Sequence, residues 1–248
     1  MESKHYFYVL SCKDGSFYGG YTTEPKRRVK EHNSGTGAKY TRPASRRPVQ
    51  MIHSEVFATR PEATKAEYHF KKLPRKQKER YLRTAKIACG IRAFEDSDSV
   101  ELAHLLKRNF LEVNSQDYPM DQMIDLAEQY TPAKLMDQAK SAHVYIAELG
   151  DTIVGTAAIC PYFDSAEESI ILSFFVLPEY QKKAVGHQLM EQLEKDSFYT
   201  RAQRIEVPAS RTAKEFYEHF GFKVKKPDNP EDEHGYIRME KHQKLSNC

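Results

Sequence analysis

Five polar side chains in the first third of the chain, Tyr8, Tyr18, Arg28, His32 and Glu67, are of the types that cleave a phosphodiester. Tyr8 and Tyr18 read as lying on adjacent strands of one hairpin, so both phenols can point at one place. Arg28 and His32 are spaced i and i+4 and share a helix face. Glu67 falls mid-helix among Ala66, Tyr68 and Phe70, where a partly buried carboxylate needs a cation. In such a set the carboxylate holds a hard divalent ion, with waters and a phosphate oxygen filling its shell. The ion polarises the phosphate and acidifies water. The guanidinium neutralises charge that builds in the transition state, and a phenol or imidazole shuttles the proton. Singly, each residue has a plainer reading: core packing for a tyrosine, a solvated face for the arginine or the glutamate. Their joint arrangement points to chemistry.

A second set lies further on. The segment PEYQKKAVGHQLMEQL runs from a strand end through a short basic loop into a helix. Free N–H groups at a helix start, with the positive end of its dipole, attract an anion. Gly186 permits close backbone approach, and Lys182 and Lys183 add charge. An ordinary strand-to-helix turn would look the same. In SRTAKEFYEHFGF, Ala213, Phe216, Phe220 and Phe222 make a core stripe, and Tyr217 falls beside it.

The elements that must position these groups follow from pattern. His5 to Leu10 and Phe17 to Tyr21 read as a hairpin around Lys13-Asp14-Gly15-Ser16. Thr22-Thr23-Glu24-Pro25 opens a helix to about His32, and Asn33 to Thr41 reads as a loop. Pro48 to Phe57 suggests a third strand; Thr59-Arg60-Pro61-Glu62 starts a helix to about Lys72, and Pro74 a last basic one. The second half reads as a strand at Cys89 to Phe94, a helix capped by Asp96-Ser97-Asp98-Ser99, and a helical stretch from Met120 to Ser141. Strands follow at His143 to Glu148, Thr152 to Ile159 and Ser169 to Leu177, the last apolar enough to be buried on both faces. A helix at Val185 to Lys195, a strand at Arg204 to Val207, a helix at Thr212 to Phe220 and two short strands complete the reading. The fold class expected is α+β: a small three-stranded sheet with helices, then a mixed α/β sheet with helices on both faces.

Charge divides the chain at the same place. Residues 1–86 hold 20 Lys and Arg against 8 Asp and Glu, whereas residues 87–248 hold 18 against 27. A unit this basic suits phosphates, and the acidic one behind it suits a cationic partner. Two domains, 1–86 and 87–248, are expected. No apolar run approaches the roughly 20 residues of a membrane span, and the apolar stretch at the N-terminus is too short for a signal peptide. Cys12, Cys89, Cys160 and Cys248 are scattered, so reduced thiols in a cytoplasmic protein are expected rather than a zinc site or disulfide framework. The oligomeric state is not legible.

The front unit resembles the GIY-YIG nucleases, in particular their small stand-alone bacterial members. Tyr6-Phe7-Tyr8 aligns with the first signature and Tyr18-Gly19-Gly20 with the second. RRVKEHNSGTGAKYT carries the arginine and histidine as Arg28 and His32, and AEYHFKKL carries the metal-binding glutamate as Glu67. The resemblance implies a metal-dependent phosphodiesterase acting on DNA or RNA. Glu67 would hold the ion, Arg28 the scissile phosphate, and a tyrosine, Tyr18 before Tyr8, would activate water, with His32 sharing the proton. The chain departs from the pattern at Tyr6, Gly19 and Tyr21, which leaves open a clamp that binds nucleic acid without cutting it.

The rear unit resembles the GNAT acyltransferases. Gln181-Lys182-Lys183-Ala184-Val185-Gly186, followed by His187, stands where that family cradles the coenzyme A pyrophosphate, with Ala184 in place of the first glycine. Phe174, Phe175 and Val176 match the strand that pairs with the pantetheine arm, and the segment from Ser210 carries the thiolate-protonating tyrosine as Tyr217. The resemblance implies acetyl transfer from acetyl-CoA to a primary amine, with Glu168 and Glu206 as candidate bases. Acetylation of the chain's own lysines, such as Lys76 or Lys78, is a further possibility.

Overall fold

The computed structural model describes residues 4–243. These fall into two compact units. One runs up to Gly90 and takes in Ala147–Val154 and Tyr180–Val185; the other comprises Ile91–Ile146, Gly155–Glu179 and the chain from Gly186 onward. The architecture is α+β, as the patterns indicated.

In the first unit β1 (His5–Cys12), β2 (Phe17–Thr22) and β3 (Val49–Phe57) form an antiparallel sheet in the order β2-β1-β3. The hairpin turns at Gly15, whose φ of 77° is open to glycine, and the Asp14 carboxylate accepts the Ser16 N–H at 3.0 Å. Alternation sends Phe7 and Val9 to one face, where Phe70 of α2 (Arg60–Lys72) and Leu82 of α3 (Arg75–Thr84) close a core. The Thr59/Glu62 capping box read from the residues is formed at the start of α2. Tyr8 and Leu10 point the other way. Helix α1 (Pro25–Ser34), which buries Val29 and His32, runs past His32 and stops only at left-handed Gly35.

The second sheet has seven strands in the order β4-β5-β6-β7-β8-β10-β9: β4 (Gly90–Ala93), β5 (His143–Leu149), β6 (Thr152–Pro161), β7 (Glu168–Val176), β8 (Arg204–Ala209), β9 (Lys223–Val224) and β10 (Ile237–His242). It is mixed, since β7 runs parallel to β8 and antiparallel to β6. The accompanying helices are α4 (Ser99–Glu112), α5 (Met120–Gln129), α6 (Pro132–Gln138), α7 (Val185–Leu193), α8 (Ser197–Thr200) and α9 (Lys214–His219). The stretch from Met120 breaks into two helices because Pro132 starts a new one, capped by the Thr131 side chain. Asp98 ahead of α4 accepts from Glu95 N–H and Arg92 rather than capping the helix by its side chain.

One expectation needs correcting. Strand β7 is buried at Ser169, Ile170 and Ile171 but only half-buried from Leu172 to Val176. Its pairing with β8 spans only Glu168–Ile170 against Arg204–Glu206, and beyond that the two strands lie unpaired.

Cys12, Cys89 and Cys160 are not joined in disulfides, and Cys248 lies outside the described residues. Among the described residues no helix is long and apolar enough to cross a membrane.

Candidate active sites

Hairpin register places Tyr8 opposite Gly20 and Leu10 opposite Tyr18, so the two phenols share a sheet face on a diagonal, with ring centroids 6.3 Å apart. Helix α1 brings His32 and Arg28 to that face. A chain of hydrogen bonds joins them, and its direction can be deduced. Thr41 Oγ1 donates to the Ala38 carbonyl at 3.1 Å and therefore accepts from His32 Nδ1–H at 2.6 Å. His32 Nε2 is then the acceptor for the Tyr8 hydroxyl at 2.8 Å, and Tyr8 Oη in turn accepts from Arg28 Nε–H at 3.2 Å. Tyr8, His32 and Thr41 are fully buried.

The electrostatics agree with that direction. Burial, and then the nearby Arg28 charge, hold His32 down at about 4, so the ring is neutral. Burial pushes the Tyr8 phenol far above its ordinary value, against the lowering effect of the Arg28 bond. A stability consequence follows. The unfolded imidazole takes a proton near pH 6.5 and the folded one only near 4. The His32 contribution is thus complete above about pH 6.5 and is lost as pH falls toward 4. The protection factors of amides in β1 and α1, taken against the intrinsic exchange rate at each pH, should fall over that interval, and His32→Gln should abolish the fall.

Two glycines keep this geometry open. A Cβ on Gly20 would lie 2.5 Å from Tyr8 Oη, and one on Gly37 would lie 2.7 Å from His32 Nδ1. The second glycine of Tyr18-Gly19-Gly20 is therefore required by the phenol that lies across it.

Tyr18 is half-exposed; its ring is 5.1 Å from that of His32, and its hydroxyl bonds no other described residue. Glu67, on α2, is among the charges acting on Tyr8 and is paired with Lys71, whose ammonium lies 5.7 Å from the Tyr18 ring centre. The described residues contain no group of three or more His, Cys, Asp or Glu arranged to hold a metal ion. A lone carboxylate fits a hard ion that keeps its waters and borrows phosphate oxygens, and exposed Lys71 can swing aside. Sequence reasoning missed Thr41 and Tyr40. Tyr40 stacks on Tyr18 at 5.8 Å with the Arg46 guanidinium 3.8 Å over its ring. Both lie on one 3₁₀ turn, Lys39–Thr41, too short to show a period.

In the second unit the parting of β7 from β8 leaves a cavity of about 280 Å³, lined among others by Phe174, Phe175, Ser210 and Tyr217. Ser173 has φ 48°, and the β6–β7 register slips between Thr156 and Ala158: a bulge that re-aims the end of β7. Tyr217 on α9 is buried against Phe174 and Phe222, which drives its phenol up, and its hydroxyl bonds no other described residue.

The loop ahead of α7 turns through left-handed residues, Lys182 at φ 58° and Ala184 at 67°. A glycine would adopt the latter at no cost, which accounts for the family's choice there. Helix α7 begins at Val185, so its unpaired N–H groups belong to Val185, Gly186 and His187. A Cβ on Gly186 would meet Phe216 at 3.2 Å. His187 packs on Phe220 at 4.7 Å.

Neither candidate base is placed to act as one. Glu206 is buried and bonded by Arg204, by Lys225 at 2.7 Å and by Arg238 at 2.8 Å. Burial alone would raise its carboxyl, yet these cations hold it at about 2. Glu168 is bonded by Arg204 at 2.6 Å, which lowers it as well. A carboxylate held ionised by strong cation bonds is a poor proton acceptor.

Comparison with known proteins agrees with both geometries. Residues 4–81 match the GIY-YIG catalytic domain and residues 113–243 the acetyltransferase (GNAT) domain. The chain belongs to both families, one domain of each. A UPF0213 protein of Enterococcus faecalis is 77% identical to the GIY-YIG domain over 86 residues, 34% of this chain and 98% of that protein. The UPF0213 protein YazA of Bacillus subtilis is 52% identical over 94 residues, 37% of this chain and 93% of that one. The GNAT domain is similar in fold to the PaiA N-acetyltransferase of Thermoplasma acidophilum, solved in complex with coenzyme A. Its TM-score is 0.54 at 19% identity, covering 63% of this chain and all of that one. A GCN5-related N-acetyltransferase of Rhodopseudomonas palustris gives 0.53 at 21% identity, covering 64% and 98%.

Proposed function

We propose that the protein is bifunctional: an acetyl-CoA-dependent N-acetyltransferase over residues 87–248, joined to a divalent-metal-dependent GIY-YIG endonuclease over residues 1–86. The observation that carries the reading is the cavity where β7 leaves β8, with a buried, protonated Tyr217 in its wall. The acetyl donor lies along Phe174, Phe175 and Val176, and its pyrophosphate is held by the loop from Gln181 to Gly186 and the N–H groups of Val185, Gly186 and His187, with Ser210 near the thiol. Tyr217 stays protonated at every physiological pH and gives its proton to the departing thiolate. The acceptor is a primary amine.

In the GIY-YIG domain Arg28 has an Nη2 group that bonds no other described residue and is available to a phosphate oxygen. Tyr18, exposed where Tyr8 is not, meets the attacking water. Tyr8 and His32 form the buried support that fixes Arg28. Glu67 would hold Mg2+ or Mn2+, which supplies polarisation of the phosphate. The basic surface binds DNA or RNA in a salt-dependent way. The alternative, a clamp that binds without cutting, is favoured by one observation, the Lys71 ammonium on Glu67. A cytoplasmic location belongs to the same reading, and the cysteines not joined in disulfides support it.

Calorimetric titration with acetyl-CoA tests the transferase, and absence of binding refutes it. The same experiment probes Ala184→Gly. Relief of the left-handed alanine should raise stability by about 0.5–1 kcal/mol. Coenzyme affinity should be equal or tighter, since a methyl beside the phosphates is removed. Weaker binding would place the phosphates elsewhere.

A further inference from the structure

We propose that the cavity between β7 and β8 takes its acceptor as a small monocationic primary alkylamine, with Asp232 as the anchor for the ammonium group. The inference rests on the acetyltransferase reading and adds the acceptor's chemistry to it.

The argument starts from charge. Behind the cavity, Arg204, Lys225 and Arg238 meet Glu206, and Arg204 is shared with Glu168 and Glu240. With Asp232 included, four carboxylates face three cations. Of these, Asp232 lines the cavity, and its ion pair with Arg238 is the long one. Arg238 also lines it, but its Nε and Nη2 are both directed to Glu206, away from Asp232 Oδ2.

Geometry agrees. Asp232 Oδ1 accepts the N–H groups of His234 and Tyr236, each at 3.0 Å, and the carboxylate is thereby fixed by backbone. Its Oδ2 has only a long contact, 3.5 Å to Arg238 Nη1, among the described residues. One oxygen is thus rigidly held, and the other, whose ion pair with Arg238 is long, can take an ammonium. For transfer the ammonium gives one proton to this carboxylate and on to solvent, its nitrogen bonds the acetyl carbon as the carbon–sulfur bond breaks, and Tyr217 protonates the thiolate and regains the nitrogen's second proton. The walls suit the rest of such a ligand. Phe110 packs between Tyr130 and Phe175 at 5.4 and 5.3 Å, and Tyr236 completes an aromatic lining that takes an alkyl chain and attracts a cation. The phenols of Tyr130 and Tyr236 are raised by burial, the latter to about 12, and stay neutral. At about 280 Å³ the space admits a short chain.

The test uses the full chain and three probes of equal length: butylamine, 1-butanol and 4-aminobutyrate. Each is titrated without coenzyme by NMR, then assayed with acetyl-CoA. Butylamine should bind and be acetylated, butanol should not bind, and 4-aminobutyrate should be weaker. Asp232→Asn, which keeps Oδ1, should raise the KM for butylamine about tenfold or more while leaving the Kd of acetyl-CoA unchanged. Butanol binding as well as butylamine, a preference for the zwitterion, or an unchanged KM in Asp232→Asn would each overturn the inference. Failure of acetyl-CoA to bind would overturn the transferase reading instead, and the coenzyme-free titrations would still decide the ligand's charge.

Discussion

Glu67→Gln should lower metal-dependent cleavage of a branched or supercoiled DNA by about 10²–10³-fold, the usual cost of deleting one stabiliser of transition-state charge. DNA affinity should change little, because Arg28 and the surrounding lysines remain. The neighbouring Lys71→Ala separates the two readings of the domain. It frees the carboxylate from its ammonium partner, so a nuclease should need less Mg2+ or Mn2+ for half-maximal cutting. A clamp should show no cutting in either protein and only a small loss of binding, with a reduced dependence on salt. Equal cleavage by wild type and Glu67→Gln would remove Glu67 from the metal site.

Tyr217→Phe should cut the acetyl-transfer rate by about 10²–10⁴-fold, the range for losing a positioned proton donor. The Kd of acetyl-CoA should hold, since the ring still fills the space between Phe174 and Phe222. Because burial keeps the wild-type phenol protonated, its titration should produce no alkaline decline in rate across the neutral range. A Phe variant with unchanged rate would mean that the thiolate leaves unaided or takes its proton from another group.

How far these sites were legible before the fold was seen depends on where each residue stands. Tyr8, Tyr18, Arg28 and His32 lie on regular elements, so strand parity and the i, i+4 rule place them together. Thr41, which fixes the His32 tautomer, reaches it from a 3₁₀ turn too short to show a period. In the rear half, the succession of strands and helices along the chain follows from apolar runs and turn residues. The parting of β7 from β8 does not: an apolar strand looks the same whether a neighbour or a ligand covers it. Glu206 was misread for a related reason. As an acid on the strand before the Tyr217 helix it has the position of a base, but Lys225 and Arg238 reach it from separate later segments. Asp232 was overlooked because DNPEDEH reads as a solvated turn, and only the backbone bonds from His234 and Tyr236 show it to be held.

The cations gathered on Glu206 also bear on redesign. Strands β8 and β10 are bolted together there by charge, so truncating Glu206 would remove the one carboxylate that Arg204, Lys225 and Arg238 share, leaving Arg204 to Glu168 and Glu240 and Arg238 to its long contact with Asp232. Attempts to broaden what the transferase accepts should therefore leave that floor untouched and work on the 231–236 rim, where a changed side chain alters the ligand's surroundings without unpinning the sheet.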